Sequence, residues 1–294
     1  MKMPFLTSLI NSLFFYIIAA MEKLALFLDL DGTLLDDEKN ISEANYKAIH
    51  RVLSMGHYVI ISTGRPLISA LNQAARLGLS GEGCLVIAFN GCVIYDIFKN
   101  TTLFRAEIPL EIVRMVFSEA RKRGLYIQTY EKDSVVVEKT SNLELLDWYC
   151  GRIGIDRKLI SSTDELTQNP EKMLVIHMDD PEALKSFQSW IANLPDSPLD
   201  SFSSGDSLLE IVSKGTNKGT ALIQTAKILG VSMENTYAAG DSPNDIEMLQ
   251  IAKHGFAMKN ADPCVKDAAN FITENDNNHD GIAEIINKYI LPVQ

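Results

Sequence analysis

Asp29-Leu30-Asp31-Gly32-Thr33 sets two carboxylates two residues apart, directly after the apolar run Leu24 to Leu28. A short, near-continuous apolar run is the pattern of a strand buried on both faces of a parallel sheet. Two acids at its end, with Gly32 allowing a tight turn, would both stand over one cleft. One could bind a metal and attack an electrophile while the other handles a proton. An Asp-Gly turn is common between elements. A complete DxDGT after a buried strand is far more specific.

Three more clusters occupy similar places. Ser62-Thr63-Gly64-Arg65 follows the apolar run Tyr58 to Ile61. A hydroxyl and backbone N–H groups at a helix start suit an anionic oxygen, though Ser or Thr there is usually an N-cap and no more. Lys214-Gly215-Thr216-Asn217-Lys218-Gly219 offers two lysines. Either could neutralise charge developing on a phosphoryl group, and either taken alone reads as solvated surface. Ala239-Gly240-Asp241-Ser242-Pro243-Asn244-Asp245 again ends an apolar strand and adds two carboxylates. Asp29, Asp31, Asp241 and Asp245 together form a set of hard oxygen donors suited to Mg2+. Unpaired, they would repel by several kcal/mol, so a cation is close to required.

The elements that must position these groups alternate along the chain. Ser42 reads as an N-cap, and Ala44, Ile49, Val52 and Leu53 recur at helical spacing up to Gly56. Pro66 to Leu77 reads as a helix with its proline in the first turn, and Leu85 to Phe89 as a third strand. Strand, helix, strand, helix, strand predicts an α/β, doubly wound parallel sheet with its ligand site at the carboxyl ends of the strands. The middle of the chain, about 104–207, differs. Strand-like runs at 125–130, 135–137, 173–178 and 208–212 mix there with amphipathic stretches around 110–123, 142–152 and 181–193. Several of these strands alternate apolar and polar residues, which predicts a half-solvated sheet with helices on one face. The doubly wound pattern then resumes: helix 216–229, strand 236–239, helix 245–252, strand 255–257. An α+β domain inserted into a split core is the simplest topology, with core segments 21–103 and 208–294.

Composition narrows the function. With 294 residues, 46% hydrophobic and 22% charged, the chain can support a packed core, which excludes a disordered class. Its 27 Lys plus Arg against 38 Asp plus Glu give a formal charge of −11 and argue against a nucleic-acid backbone binder. A small anionic substrate stays open, since a bound cation reverses the local sign. Cys84, Cys92, Cys150 and Cys264 show no CxxC spacing and are expected to be free thiols in a reducing compartment. Residues 1–20 carry one charge, Lys2, and an apolar run from Leu13 to Ala20. They read as a dispensable extension upstream of Met21 or, second, as a signal-like segment, and they are too interrupted for a transmembrane helix.

These four clusters in this order resemble the haloacid dehalogenase superfamily. The interval of about 150 residues between the second and third clusters resembles its Cof-type sugar-phosphatase branch, which inserts a large C2-type α/β cap at that point. The resemblance implies a Rossmann-like core and assigns roles. Asp29 would be the nucleophile, and Asp31 would protonate the leaving alcohol and then activate water. Mg2+ would be held by side-chain oxygens of Asp29 and Asp241 and by the backbone carbonyl of Asp31. Thr63 would bind the phosphoryl group and Lys218, preferred to Lys214, would balance charge. Asn244 would orient the phosphate and Asp245 the water shell of the metal. Asn90-Gly91 resembles a further substrate-side turn, though Asn-Gly is first of all a turn signal.

The expected activity is therefore a Mg2+-dependent, cytoplasmic phosphatase for small phosphorylated metabolites, sugar phosphates foremost, working through an aspartyl-phosphate. The alternative is a phosphomutase or phosphotransferase on phosphosugars, and a non-catalytic binding module is the third reading. No nucleic-acid or membrane partner is expected. In the cap, Glu210 and His177 are candidates for reading the leaving group, although each reads more readily as an ordinary strand residue.

Overall fold

The apolar run after Lys23 forms β1 (Ala25–Leu28), and all four of its residues are buried. The computed structural model describes residues 22–204 and 207–291. The chain continues through α1 (Glu43–Ser54), β2 (Tyr58–Ser62), α2 (Leu67–Arg76), β3 (Cys84–Ala88), β4 (Val93–Asp96) and β5 (Thr101–Arg105). Ser42 does cap α1, accepting from the Asn45 N–H. After the middle segment come α6 (Lys218–Leu229), β12 (Thr236–Gly240), α7 (Ile246–Ile251), β13 (His254–Ala257), α8 (Pro263–Ala268), β14 (Phe271–Ile272) and α9 (Gly281–Ile285). Among the described residues these strands make one eight-stranded sheet, ordered β14-β13-β12-β1-β2-β3-β4-β5.

The sheet is parallel from β14 to β3. It ends in an antiparallel hairpin, β4 against β3 and β5 against β4, which the sequence pattern did not reveal. β1 lies between β2, the next strand in sequence, and β12, a late one. Strand order therefore reverses at β1, and a ligand crevice is expected beyond its carboxyl end. Asp29 occupies that end, with its N–H on the Ala239 carbonyl of β12 at 3.1 Å.

The middle segment forms a second sheet. It runs through α3 (Leu110–Lys122), β6 (Tyr126–Glu131), β7 (Ser134–Glu138), α4 (Leu143–Ile153), β8 (Asp156–Ile160), β9 (Lys172–Ile176), α5 (Pro181–Ala192), β10 (Leu199–Ser203) and β11 (Leu208–Ser213). The strand order is β10-β11-β9-β6-β7-β8. Sheet membership shifts both expected boundaries. β5 runs to Arg105 in the first sheet, and β11 pairs with β9 and β10 in the second, which therefore continues past 207 to Ser213.

The alternation read as half-solvated is buried on both sides. Ile127, Val136 and Met173 pack in one cluster with Val113 and Phe117 of α3 and Phe187 of α5. Tyr126, Tyr130, Val135 and Val137 join the cluster that contains the first domain's core together with Leu146 and Tyr149 of α4. The polar positions on that face are satisfied by one another. Tyr126 Oη donates to Gln128 Oε1 (2.6 Å), Gln128 Nε2 donates to Tyr130 Oη (3.1 Å), and Tyr130 Oη bonds Tyr149 Oη (2.6 Å). A hydrogen-bonded polar row can be buried where an unpaired one cannot. The period of 2 was legible in the sequence, but what covers the second face was not.

Residues 1–20, the signal-like segment, lie outside the described residues. Among those described, no helix is long and apolar enough to cross a membrane. Cys84, Cys92 and Cys150 are buried and Cys264 is exposed, all as free thiols.

Candidate active site

Four turns converge at the carboxyl ends of β1, β2 and β12. Asp29 is 6% exposed, and Lys218, the first residue of α6, is 1% exposed. Lys218 Nζ donates to Asp29 Oδ1 at 2.7 Å and to Asp245 Oδ1 at 2.6 Å. The helix start that carries it is fixed by Asn217, whose side chain accepts the Thr220 N–H while Thr220 answers the Asn217 N–H. Lys214 sits exposed in the turn before α6, and Lys218 is the lysine that reaches the acids. Asp245 Oδ2 accepts the N–H groups of Asp241 and Ser242, both at 3.1 Å, which closes the 241–245 turn.

One carboxylate oxygen from each of Asp29, Asp241 and Asp245 lies within 4.8 Å of the other two. Burial, opposed by Lys218 and reinforced by Asp245 and Asp241, pushes Asp29 well above the usual carboxylate range. Burial and the charge of Asp245 push Asp241 up to about 7, against hydrogen bonds from Thr33 and Ser242. Lys218 is held above the usual lysine range by Asp245 and Asp29 despite its burial. Three crowded hard-oxygen groups with one lysine between them fit a divalent cation such as Mg2+, whose charge would relieve that repulsion. Asp245 already gives both oxygens to Lys218 and the two N–H groups, so Asp29 and Asp241 are the better placed side chains.

Gly32 is required here twice over. Its φ is +79°, and a Cβ at this position would lie 2.4 Å from Asp241 Oδ2. Thr33 Oγ1 then donates to Asp241 Oδ1 at 2.7 Å and ties the first turn to the fourth.

Asp31 does not join the acid cluster. Its carboxylate is gripped by Arg65, with Nε on Oδ2 at 2.6 Å and Nη2 on Oδ1 at 2.7 Å, and by Lys39 Nζ at 2.8 Å. Burial would raise its pKa, but the Arg65 fork and Lys39 outweigh that and hold it at about 2. The sequence shows Arg65 in the second cluster without indicating this role. Bidentate reach across 34 positions is a tertiary fact.

Thr63 is buried at the end of β2, and its Oγ1 accepts the Arg65 N–H at 3.2 Å. Asn244 Nδ2 donates to Asn90 Oδ1 at 3.0 Å, and the Asn90 N–H donates to the Thr63 carbonyl at 3.0 Å. Asn90 therefore buttresses both turns from behind, with its Nδ2 lacking a partner. Gly91 has φ +106° and would carry a Cβ 2.4 Å from the Asn217 carbonyl. Its part is to let the 89–91 turn meet the start of α6. Neither residue lines the pocket.

That pocket, about 420 Å³, opens between the two sheets. Asp29, Asp31, Thr63, Ser242 and Asn244 line its floor, and Trp148, Arg152, Met178, Ser204, Ser207 and Glu210 line the cap side. His177 is elsewhere: its Nδ1 accepts the Asp180 N–H at the start of α5. Sequence reasoning missed Lys172, which is 1% exposed and pairs with Glu210 at 2.6 Å. The available signal was a lone acid inside one apolar run, Leu208 to Val212, and a lysine at the head of another, Met173 to Ile176, since buried opposite charges generally find one another.

The geometry has counterparts among known proteins. The family model described as haloacid dehalogenase-like hydrolase matches residues 26–286. The chain is 32% identical over 266 residues to a 5-amino-6-(5-phospho-D-ribitylamino)uracil phosphatase of Bacillus subtilis, covering 90% of this chain and 94% of the relative. It is 29% identical over 274 residues to a pyridoxal phosphate phosphatase of Escherichia coli, covering 90% and 97%. The crystal structure of a haloacid dehalogenase-like hydrolase from Bacteroides thetaiotaomicron superposes with a TM-score of 0.82 at 28% identity, over 91% of this chain and 99% of that one.

Proposed function

This chain belongs to the haloacid dehalogenase-like hydrolases and is a phosphatase. From that premise we propose that it is a Mg2+-dependent, cytoplasmic enzyme hydrolysing small phosphorylated metabolites, sugar phosphates foremost, through an aspartyl-phosphate on Asp29. One observation carries the reading: Asp29 is buried at the switch point of the sheet, fixed by Lys218 and crowded by Asp241 and Asp245. The free cysteines accord with a reducing compartment.

Asp29 Oδ2, free of Lys218, attacks phosphorus in line, and the ester oxygen leaves with a proton from Asp31. Water then attacks the aspartyl-phosphate, giving its proton to Asp31, and inorganic phosphate departs. Asp29, Asp241 and the Asp31 backbone carbonyl would hold Mg2+, which would supply positive charge to offset the repulsion of the carboxylate nucleophile and the phosphate. In the state described, the Arg65 fork keeps Asp31 ready as a base. To act as an acid it must first gain a proton, and an arriving phosphate dianion favours that by raising its proton affinity. Thr63 and Asn244, on the pocket floor, would hold the phosphoryl oxygens, and Lys218 would balance their charge.

A panel of sugar and cofactor phosphates, assayed for released inorganic phosphate with Mg2+ and with EDTA, tests this reading. Hydrolysis that stops with EDTA, and that Asp29→Asn abolishes without unfolding the protein, is the expected result. Near-normal rates in Asp29→Asn would refute the nucleophile, and isomerised sugar phosphate in place of free phosphate would mark a mutase.

A further inference from the structure

Glu210 is a single acid within the apolar strand β11, 5% exposed, on the cap wall of the pocket that Asp29 and Asp31 floor. A buried carboxylate in a strand is costly unless paired. Its partner is Lys172 on β9, where Val212 is opposite Lys172 and Leu174 is opposite Glu210, so the two charges are diagonal neighbours on one face. Lys172 Nζ also donates to the Gly64 carbonyl at 2.7 Å, in the turn that carries Thr63. The ammonium lies 5.8 Å from the Phe89 ring centroid and 5.4 Å from that of Tyr130. One buried lysine thus bridges a cap-side acceptor and the turn assigned to the phosphate.

Stability does not account for the pair, since apolar residues in place of a buried ion pair are often neutral or better. Leu174, Ile176 and Val212 belong to the core cluster on this face, which shows that apolar residues fit it. An acceptor on the wall of a binding pocket is a different matter. A carboxylate has about four lone-pair sites. Lys172 Nζ lies 2.6 Å from Oε2 as an ion pair, Oε2 has no hydrogen-bond donor on it, and Ser204 Oγ donates to Oε1 at 2.9 Å, which leaves capacity for donors on a ligand. Lys172 meanwhile offsets the negative charge that would otherwise repel a phosphate ester.

We propose that Glu210 reads the leaving group by accepting hydrogen bonds from its hydroxyl or amine groups, while Lys172 holds that acceptor in register with the phosphate turn. This rests on the phosphatase reading above and sharpens its substrate class. The enzyme selects esters whose alcohol carries donors within a few bonds of the phosphate, as polyols and sugars do, over esters without them. Lys172 is a positioning residue, because it acts through Glu210 and the Gly64 turn.

The test compares kcat/KM for hexose 6-phosphate, its singly deoxygenated analogues, and phenyl phosphate, whose leaving group carries no donors beyond the reacting oxygen. Glu210→Gln keeps the size and the Ser204 contact but removes the charged acceptor. It should lose at least tenfold on hexose 6-phosphate and change less than twofold on phenyl phosphate, both assayed well below a melting temperature that falls because Lys172 is left buried without its counter-charge. At least one deoxy analogue should lose about tenfold in the wild type and less than twofold further in Glu210→Gln, the coupling expected of a hydrogen bond to a charged group. Lys172→Met should reproduce the hexose defect and also lower kcat on phenyl phosphate, because the Gly64 turn loses its anchor. Equal losses on both esters in Glu210→Gln, no loss on either, or wild-type cleavage of phenyl phosphate but not hexose 6-phosphate would overturn the proposal. Wild-type failure on every ester would instead remove the phosphatase reading beneath it.

Discussion

At the scale of single residues, Asp31 and Arg65 show how a side chain's job depends on its partners. Arg65 is 7% exposed and Asp31 is more than a third exposed as a side chain, so the pair is half-sheltered. With the folded carboxyl at about 2, below its unfolded value, the pair contributes stability that is present above about pH 4 and lost as pH falls towards 2. Discounted for solvent screening, the contribution is about 1 kcal/mol. Arg65→Met should therefore be less stable than the wild type at pH 6, and urea unfolding should show the gap closing between pH 4 and pH 2. A gap of the same size at both ends would mean that Arg65 stabilises by packing and not through Asp31. The types of Asp29, Asp31 and Asp241 were readable because their chemistry is local to short turns. Lys172 and the grip on Asp31 were not, because nothing near them in sequence records the partner.

At the scale of elements, each turn carries its chemistry because a buried strand ends just before it. Gly32 and Asp241 belong to turns 209 positions apart whose atoms nearly touch. Replacing Gly32 by Ala forces a left-handed backbone at a cost of about 1–2 kcal/mol, and the new Cβ must displace the Asp241 carboxylate. Calorimetric titration of Gly32→Ala should show Mg2+ binding weakened at least tenfold, with turnover falling in parallel. Unchanged Mg2+ affinity would sever Asp241 from the metal site. The strand and helix periods were legible for β1, β2, β3 and α1, whose apolar runs are long and buried. β5, β8 and β10 were passed over, since exposed or mixed edge strands such as Thr101–Arg105 and Asp156–Ile160 lack that signal, and β4 is largely buried but only four residues long.

At the scale of the whole molecule, folding assembles a cluster of like charges. Asp241's folded carboxyl lies near 7, above its unfolded value, so the folded state favours the protonated form. Without metal, stability should fall as pH rises from about 4 through 7. Bound Mg2+ should stabilise the protein most above that range, where both Asp29 and Asp241 would be ionised in the complex. Melting temperatures from pH 5 to pH 8 in EDTA and in excess Mg2+ should diverge with rising pH. Parallel curves would show that the cation does not bind this cluster.

The sequence by itself determined the order of chemical groups and the alternation of strands and helices that brings them to one sheet edge. It did so because strand-end turns and apolar periods are short-range signals. Only the tertiary structure decided which lysine meets Asp29, that Asp31 is held by Arg65, that β11 belongs to the second sheet, and that Lys172 links Glu210 to the Gly64 turn. Those outcomes depend on distances between residues tens to hundreds of positions apart, and packing alone sets them.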